Sequence, residues 1–249
     1  MNTLVLQHIA CEPPGLYEDI LRERESTITR VELDAGEPLP GWRDFDAIVA
    51  MGGPMSVNDE EALPWLRAEK RLIAEAVREG KPFWGVCLGV QLLASSLGGR
   101  VYPGSRPEVG VLPISLTEDA LLDPVFRGLP RDFLGLQWHG DTFDLPAGAV
   151  RLAGSVDYPN QAFRLRNAYG LQFHLEVSSE MVRDWAAVPA YAADLERVLG
   201  PGSAKRLLRQ VKVRVDDLRD QGRVMFERWL NVVVGMQSPV PAGLHPRAS

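Results

Sequence analysis

The chain has 249 residues, and its 27 lysines and arginines against 33 aspartates and glutamates give a net charge of −6. No basic block or stripe is present, which argues against a nucleic-acid partner, and no apolar run approaches the roughly 20 residues that span a bilayer. The N-terminus predicts a strand rather than a signal peptide, because no basic segment precedes its apolar residues. Two cysteines, Cys11 and Cys87, make no disulfide framework, so we expect a soluble protein of the reducing cytoplasm.

Strands and helices alternate through the first part of the chain. Apolar runs predict strands at 3–9, 28–33, 45–51 and 82–86. Apolar residues at helical spacing predict helices at 15–24, 63–77 and 88–97. This alternation is typical of a doubly wound, mostly parallel sheet, in which ligands bind beyond the C-terminal ends of the strands. Gly52, Gly53 and Cys87 follow two such strands, so we expect them to meet across one crevice.

The second part of the chain has a different pattern. Short strands separated by turns are predicted at 100–102, 110–116, 134–138, 150–153, 162–165 and 170–175. They indicate an antiparallel layer appended to the parallel sheet, which makes the fold class α/β.

Helical sequence follows residue 177. One helix is predicted from 178 to about 187, and 201–203 looks like the start of a second helix that carries an apolar stripe. We therefore expect a catalytic domain over residues 1–185, a helical extension packed on it over 186–237, and a flexible tail over 238–249. The stripe would most simply cover the domain, and docking of a partner is the alternative.

Cys87 lies in the segment Gly85-Val86-Cys87-Leu88-Gly89, between an apolar strand and a helix. This pattern is the cysteine version of a nucleophile elbow, a sharp turn that holds the reactive side chain clear of the sheet. Glycines on both sides avoid crowding where the strand and the helix cross. The start of the helix favours a thiolate. The alternative is a buried structural cysteine, which is where most free cysteines lie.

His174 lies in a segment, 170–176, in which apolar and polar residues alternate. A period of two places His174 and Glu176 on one face of one strand. This arrangement suits a base whose second ring nitrogen is held by a carboxylate. The alternative is a surface strand with a polar face. His8 and His245 are interpreted as structural or tail residues.

Three motifs together resemble the class I glutamine amidotransferase family. They are Met-Gly-Gly-Pro at 51–54, Gly-Val-Cys-Leu-Gly-Val-Gln at 85–91 and Phe-His-Leu-Glu at 173–176. Within the family, the chain is similar to stand-alone proteins that resemble the amidotransferase domain of GMP synthase, and the resemblance covers roughly residues 1–185. It implies a flavodoxin-like fold and a catalytic triad of Cys87, His174 and Glu176.

The resemblance also implies residues that bind the substrate, glutamine or another γ-glutamyl amide. The oxyanion donors would be the backbone N–H groups of Gly53 and Leu88, with Gly52 in the same turn. Gln91 would contact the amino-acid end of the substrate, although a solvated helix glutamine is the alternative. Trp138 would be a wall of the pocket, and the backbone near His139 would contact the substrate. His139 is also a rival base, but no carboxylate stands two residues on in a strand context, because Gly140 breaks the run before Asp141.

No cofactor or metal is predicted. The His, Cys, Asp and Glu spacings match no zinc or two-metal pattern, and no P-loop or dinucleotide motif is present. Three functions remain open: release of ammonia to a separate synthase subunit, hydrolysis of γ-glutamyl amines or peptides by a stand-alone enzyme, and a catalytically silent binding protein on the same fold. The sequence does not fix the oligomeric state, and a homo-oligomer is compatible with it.

Overall fold

The computed structural model describes residues 1–235, apart from the side chain of Ala190. Within this range, one mixed sheet has the strand order β2-β1-β3-β4-β9-β8-β7-β5-β6. Its strands are β1 (Asn2–Gln7), β2 (Thr27–Glu32), β3 (Ala47–Ala50), β4 (Phe83–Val86), β5 (Val101–Leu116), β6 (Asp132–Phe143), β7 (Val150–Gly154), β8 (Ala162–Leu165) and β9 (Ala168–Leu171). The α-helices are α1 (Leu16–Glu23), α2 (Trp65–Arg78), α3 (Leu88–Ser96), α4 (Glu118–Leu122), α5 (Ser179–Trp185), α6 (Pro189–Leu199) and α7 (Ser203–Arg228). A 3₁₀ turn (Trp42–Asp44) and a π-helix (Trp229–Val234) complete the elements.

The parallel half of the sheet consists of β2, β1, β3, β4 and β9. Strands β3, β4 and β9 are buried along their whole length, because helices cover both faces of the sheet. Strand β9 is the last strand in the chain, yet it pairs with β4 in the register Gly85↔Gly170 and Val86↔Leu171. The end of β9 therefore lies beside the residue that follows β4.

The antiparallel half consists of β8, β7, β5 and β6. The two halves together confirm the predicted α/β fold, a doubly wound, mostly parallel sheet with an appended antiparallel layer. The predicted strands at 100–102 and 110–116 are one continuous strand, β5, with an irregularity between Pro103 and Glu108. The two prolines in this stretch suggest a loop in the sequence, but β6 is long enough to pair with β5 on both sides of the irregularity.

The prediction of a strand over 170–175 is wrong, because β9 ends at Leu171. Strand β4 ends at Val86 and the chain turns into α3, so β9 loses its partner after the bond from Cys87 N–H to the Leu171 carbonyl (2.8 Å). The chain then crosses to β6. His174 forms an isolated antiparallel bridge with Leu136, with N···O distances of 2.8 and 3.1 Å. His174 and Glu176 therefore do not share a face of a strand.

The C-terminal helices pack on the domain. Helix α5 begins after Ser178, close to the predicted start, but the sequence analysis did not predict α6. The apolar stripe of α7 joins the core on one face of the sheet, where the Phe226 ring contacts Tyr17 (4.6 Å between centroids) and Trp84 (5.5 Å). The stripe thus covers the domain. The domain boundary at residue 185 stays a prediction, and the tail expected at 238–249 lies outside the described residues.

Among residues 1–235, no helix combines the length and the apolar character needed to cross a membrane.

Gly222 on α7 provides a test of this packing. An added Cβ would lie 2.9 Å from the Leu175 carbonyl oxygen and 3.0 Å from its Cβ. Replacing a helix glycine with alanine ordinarily stabilises by about 1 kcal/mol. Here the steric overlap reverses the sign, and we expect Gly222→Ala to lower the free energy of unfolding by about 1–3 kcal/mol in urea titrations.

Asp216→Ala, at an exposed position of the same helix, is the matched control and should leave stability unchanged or slightly increased. A Gly222→Ala variant as stable as the control would show that α7 does not pack closely on residue 175.

Candidate active site

Cys87 occupies a strained turn at the C-terminal edge of the parallel strands. Its backbone angles are φ 52° and ψ −106°, in the region of positive φ that non-glycine residues rarely adopt. Such a conformation costs on the order of 1–3 kcal/mol and persists only where the surrounding structure enforces it. Here the bond from Cys87 N–H to Leu171 and that from Gly89 N–H to Met51 (3.1 Å) hold the turn from both sides.

Gly85 and Gly89, on either side of Cys87, allow β4 and α3 to cross closely, as the sequence analysis expects. A Cβ at Gly85 would lie 2.6 Å from the Gly89 carbonyl oxygen. A Cβ at Gly89 would overlap the Ala50 carbonyl on β3. Strand β4 and helix α3 can therefore meet at this angle only with glycine at both positions.

The predicted triad residues come together in the structure. His174 Nδ1 lies 2.7 Å from Glu176 Oε1, and the His174 ring is also within hydrogen-bonding reach of the Cys87 side chain. Cys87 is 6% exposed, and His174 and Glu176 are each 1% exposed. The second carboxylate oxygen of Glu176 accepts the Leu175 N–H (3.0 Å), which fixes the orientation of the carboxylate. The crossing of the chain to β6, rather than a strand face, creates this arrangement.

The electrostatics of the triad favour a charged imidazole. Burial alone would lower the pKa of His174, but the Glu176 carboxylate and the contact with Cys87 outweigh burial and raise the pKa well above its ordinary value of 6.5. This shift favours the imidazolium over the neutral ring. A positive charge beside a cysteine stabilises the thiolate, the reactive form of the side chain.

Gly52 and Gly53 follow β3 and lie against the triad. An added Cβ at Gly52 would overlap Glu12 Oε2 and lie 3.3 Å from His174 Cε1. A Cβ at Gly53 would lie 3.2 Å from the side chain of Leu88, the first residue of α3. The turn after β3 and the start of α3 therefore lie against each other, as we expect of two segments that meet at one crevice.

A cavity of about 220 Å³ opens above the sulfur. Several residues that the sequence analysis identified line it, namely Cys87, Gly53, Gln91, Trp138 and His139. Tyr191 and Asp194 from α6 form a further part of the wall. The helical extension therefore contributes to the pocket.

Gln91 is 4% exposed, so it is not the solvated helix glutamine that the sequence left as an alternative. Its side-chain nitrogen donates to Gln172 Oε1 (3.0 Å) and to the Asp141 carbonyl (3.4 Å). Gln91 thus braces the pocket wall by linking α3 to two other segments.

His139 has a carboxylate partner that its local sequence does not reveal. Its Nε2 lies 3.1 Å from Glu108 Oε2 on β5, and its Nδ1 lies 2.9 Å from the Asp141 carbonyl oxygen. The argument from sequence, that Gly140 breaks the strand before a carboxylate, is therefore wrong: β6 continues through Gly140, and the carboxylate partner is the distant Glu108. Both ring nitrogens of His139 are engaged, so neither is free to take a proton from the sulfur.

Sequence reasoning missed Glu12, Trp185 and Tyr191. Glu12 follows β1, is buried, and accepts a hydrogen bond from the Tyr191 hydroxyl. Burial raises the pKa of the Glu12 carboxyl, while the nearby His174 ring opposes this shift. The Trp185 ring packs edge-on against His174 at 4.8 Å between centroids. The one available signal was the position of Glu12 just beyond a parallel strand, where such sheets bind ligands.

Across residues 1–235, no group of three or more His, Cys, Asp and Glu side chains is arranged to hold a metal ion.

Comparisons with known proteins show the family of the chain. Residues 18–184 match the model of the class-I glutamine amidotransferase family. The chain is 34% identical over 216 residues to the glutamine amidotransferase-like protein YfeJ of Salmonella typhimurium, a match that covers 85% of this chain and 88% of that protein. It is 39% identical over 132 residues to the glutamine-hydrolyzing GMP synthase of Thermomicrobium roseum, covering 53% of this chain but only 23% of that enzyme.

The crystal structure of a glutamine amido transferase from Methylobacillus flagellatus is similar to the whole fold. It has a TM-score of 0.86 at 30% identity and covers 98% of both chains. The sequence motifs, the sheet and the matched relatives lead to one conclusion: the chain belongs to the class I glutamine amidotransferase family.

Proposed function

We propose that this protein hydrolyses the γ-carboxamide of glutamine, or of a related γ-glutamyl amide, through a thioester on Cys87. The observation that carries the proposal is the contact of Cys87, held in a strained turn, with a buried His174 whose other nitrogen is bound by Glu176. A strained backbone held by its neighbours is typical of functional sites.

The reaction follows from the charges of these groups. The Cys87 thiolate attacks the carbonyl carbon of the amide, and the His174 imidazolium donates its proton to the departing amine, which is ammonia when the substrate is glutamine. The neutral ring then takes a proton from water, and the resulting hydroxide attacks the thioester. Glutamate leaves, and this step regenerates the Cys87 thiolate beside a protonated His174.

The surrounding residues have supporting roles in this proposal. The N–H groups of Gly53 and Leu88 would stabilise the oxyanion, because Gly53 lines the cavity together with Cys87 and Leu88 directly follows Cys87 in the chain. Gln91, Trp138 and the backbone near His139 would hold the amino-acid end of the substrate, since they line the cavity.

The acceptor of the ammonia is a further part of the proposal. A separate synthase subunit is one candidate, because the matched GMP synthase is much longer than the aligned region. Hydrolysis without an acceptor is the second candidate, and the side chains of α6 in the pocket wall favour it, since they occupy space beside the sulfur. A reducing cytoplasm belongs to the same proposal, because the mechanism needs Cys87 as a free thiol.

Substitution of the nucleophile tests the mechanism. We expect the purified chain to release ammonia from glutamine or an amine from a γ-glutamyl amide, and Cys87→Ala to lower kcat by about a thousandfold or more. The matched control is Cys11→Ala, which removes the other free cysteine and should keep the activity. Turnover that survives in Cys87→Ala would rule out the thioester. Comparing rates on glutamine and on γ-glutamyl amines and peptides identifies the preferred amide.

The pH dependence tests the role of Glu176. Because folding raises the pKa of His174, the interactions of its charged ring stabilise the fold fully below pH 6.5, the ordinary pKa of the imidazole. This stabilisation is lost as the pH rises through the raised pKa of the folded state. Glu176→Gln removes the largest interaction that raises this pKa. We therefore expect the basic limb of the kcat/KM profile, where the imidazolium loses its proton, to move to lower pH.

Glu108→Gln is the matched control, because it changes the carboxylate partner of His139 instead. Its basic limb should coincide with that of the wild type. A limb that stays in place in Glu176→Gln, or moves equally in both variants, would show that Glu176 does not set the charge of His174.

A further inference from the structure

A further histidine and glutamate pair, besides His174–Glu176 and His139–Glu108, lies beneath the Gly52–Gly53 turn. The proposed mechanism does not use it. His8 follows β1, and its Nε2 lies 2.8 Å from Oε1 of Glu69 on α2. Both side chains are 0% exposed, and the Trp65 ring stacks on His8 at 5.8 Å between centroids. The other ring nitrogen, Nδ1, lies 3.2 Å from the Gly52 carbonyl oxygen.

The acceptors around His8 determine where its protons lie. A carbonyl oxygen can only accept a hydrogen bond, so Nδ1 must carry a proton. On the other side, Nε2 either donates to a carboxylate or accepts from a carboxylic acid, and both cases leave the Nδ1–H in place. Burial alone would lower the pKa of His8, but Glu69, together with smaller contributions from the Gly52 carbonyl and Glu12, outweighs burial and raises the pKa, which favours the imidazolium.

Stability alone does not account for this pair. Placing two charges in the interior carries a desolvation penalty that their attraction often fails to repay. The second carboxylate oxygen of Glu69, Oε2, is buried and has no hydrogen-bond partner within the described residues, which adds to the penalty. A pair of apolar side chains would fill the same space without this penalty. We therefore look for a function of the His8–Glu69 pair at the atoms that His8 contacts.

The contact between His8 and Gly52 acts on the backbone that faces the cavity. The Gly52 carbonyl and the Gly53 N–H belong to one planar peptide unit, and they point in opposite directions because the bond is trans. A donor that holds the carbonyl on the His8 side fixes the N–H on the other side. Gly53 and Cys87 both line the cavity, which makes this N–H a candidate donor to a substrate bound there.

We propose that His8, held by Glu69, is a positioning residue that fixes and polarises the Gly52–Gly53 peptide as an oxyanion donor. The inference rests on the proposed function, because it assigns the Gly53 N–H to the transition state. A hydrogen bond to the carbonyl oxygen of a peptide strengthens the N–H of that peptide as a donor. Donors that are already aligned need no reorganisation when the negative charge develops.

Two amide variants of His8 separate its two contacts. The side-chain nitrogen of asparagine occupies about the place of Nδ1, so His8→Asn keeps a donor to Gly52 and loses the contact with Glu69. The side-chain nitrogen of glutamine occupies about the place of Nε2, so His8→Gln keeps the contact with Glu69 and loses the donor. The two variants have similar size and polarity, and each is therefore the control for the other.

We expect His8→Gln to lower kcat for the preferred amide by roughly 10-fold to 100-fold, below the 10²–10³ that follows outright loss of an oxyanion donor. KM should change by less than about twofold, because the donor acts in the transition state and not in the ground state. His8→Asn keeps the donor but loses the contact with Glu69, so we expect a smaller loss of kcat, roughly 3-fold to 10-fold. Wild-type kcat in His8→Gln, or an equal loss in both variants, would overturn the inference.

Alkylation of Cys87 by iodoacetamide, measured on its peptide by mass spectrometry, separates the oxyanion role from an effect on the sulfur. This displacement forms no oxyanion, so both variants should be alkylated at the wild-type rate. A parallel loss of alkylation in His8→Gln would show that His8 acts on the thiolate or on the fold, and would overturn the inference.

Glu69→Gln provides a second test. Its side-chain amide can hydrogen-bond Nε2 in either protonation state of the ring while the charge is removed, and we expect a smaller loss of kcat than in His8→Gln, roughly 3-fold to 10-fold, with KM again unchanged. A wild type that releases nothing from any of these amides would overturn the proposed function. A wild type that turns over while His8→Gln does so equally well would overturn this inference alone.

Discussion

The pairing of β9 with β4 is the interaction on which the site depends. Strand β4 ends at Val86 and β9 ends at Leu171, and the hydrogen bond from the Cys87 N–H to the Leu171 carbonyl is the last rung of the parallel pairing. This bond holds the strained turn of Cys87. Beyond it, β9 has no partner on the β4 side within residues 1–235, and the chain crosses to β6. The antiparallel bridge to Leu136 then fixes His174 beside the sulfur. Without this pairing, nothing would hold the two side chains at one point.

Three buried pairs of histidine and glutamate lie around the cavity within the described residues. They differ in how many ring nitrogens of the histidine are bound by a glutamate or a backbone carbonyl. His8 and His139 each use both ring nitrogens, one on a glutamate and one on a backbone carbonyl. His174 uses only one on a glutamate and turns its ring to Cys87. The same chemical pair thus braces backbone at two places and meets the sulfur at the third. Burial makes each pair strong, because low polarity enlarges its electrostatic interaction.

The C-terminal helices are part of the site as well as of the core. Arg219 on α7 donates to the Glu176 carbonyl (3.2 Å), and the Trp185 ring packs against His174. From α6, Tyr191 binds Glu12 and lines the cavity. The stability of these helices is therefore linked to the geometry of the proposed triad. A substitution in the C-terminal helices can alter the position of the side chains around Cys87.

By itself, the sequence determined the parallel and antiparallel halves of the sheet, the elbow at Cys87 and the family, because strand period, helix spacing and glycine at a crossing are local properties. It also predicted that His174 and Glu176 pair, since they are close in the chain, and the structure shows this contact. Only the tertiary structure decided where β9 ends, that α6 enters the pocket, and which carboxylates hold His8 and His139. Those contacts join segments far apart in the chain, and no local pattern encodes which distant segment becomes a neighbour.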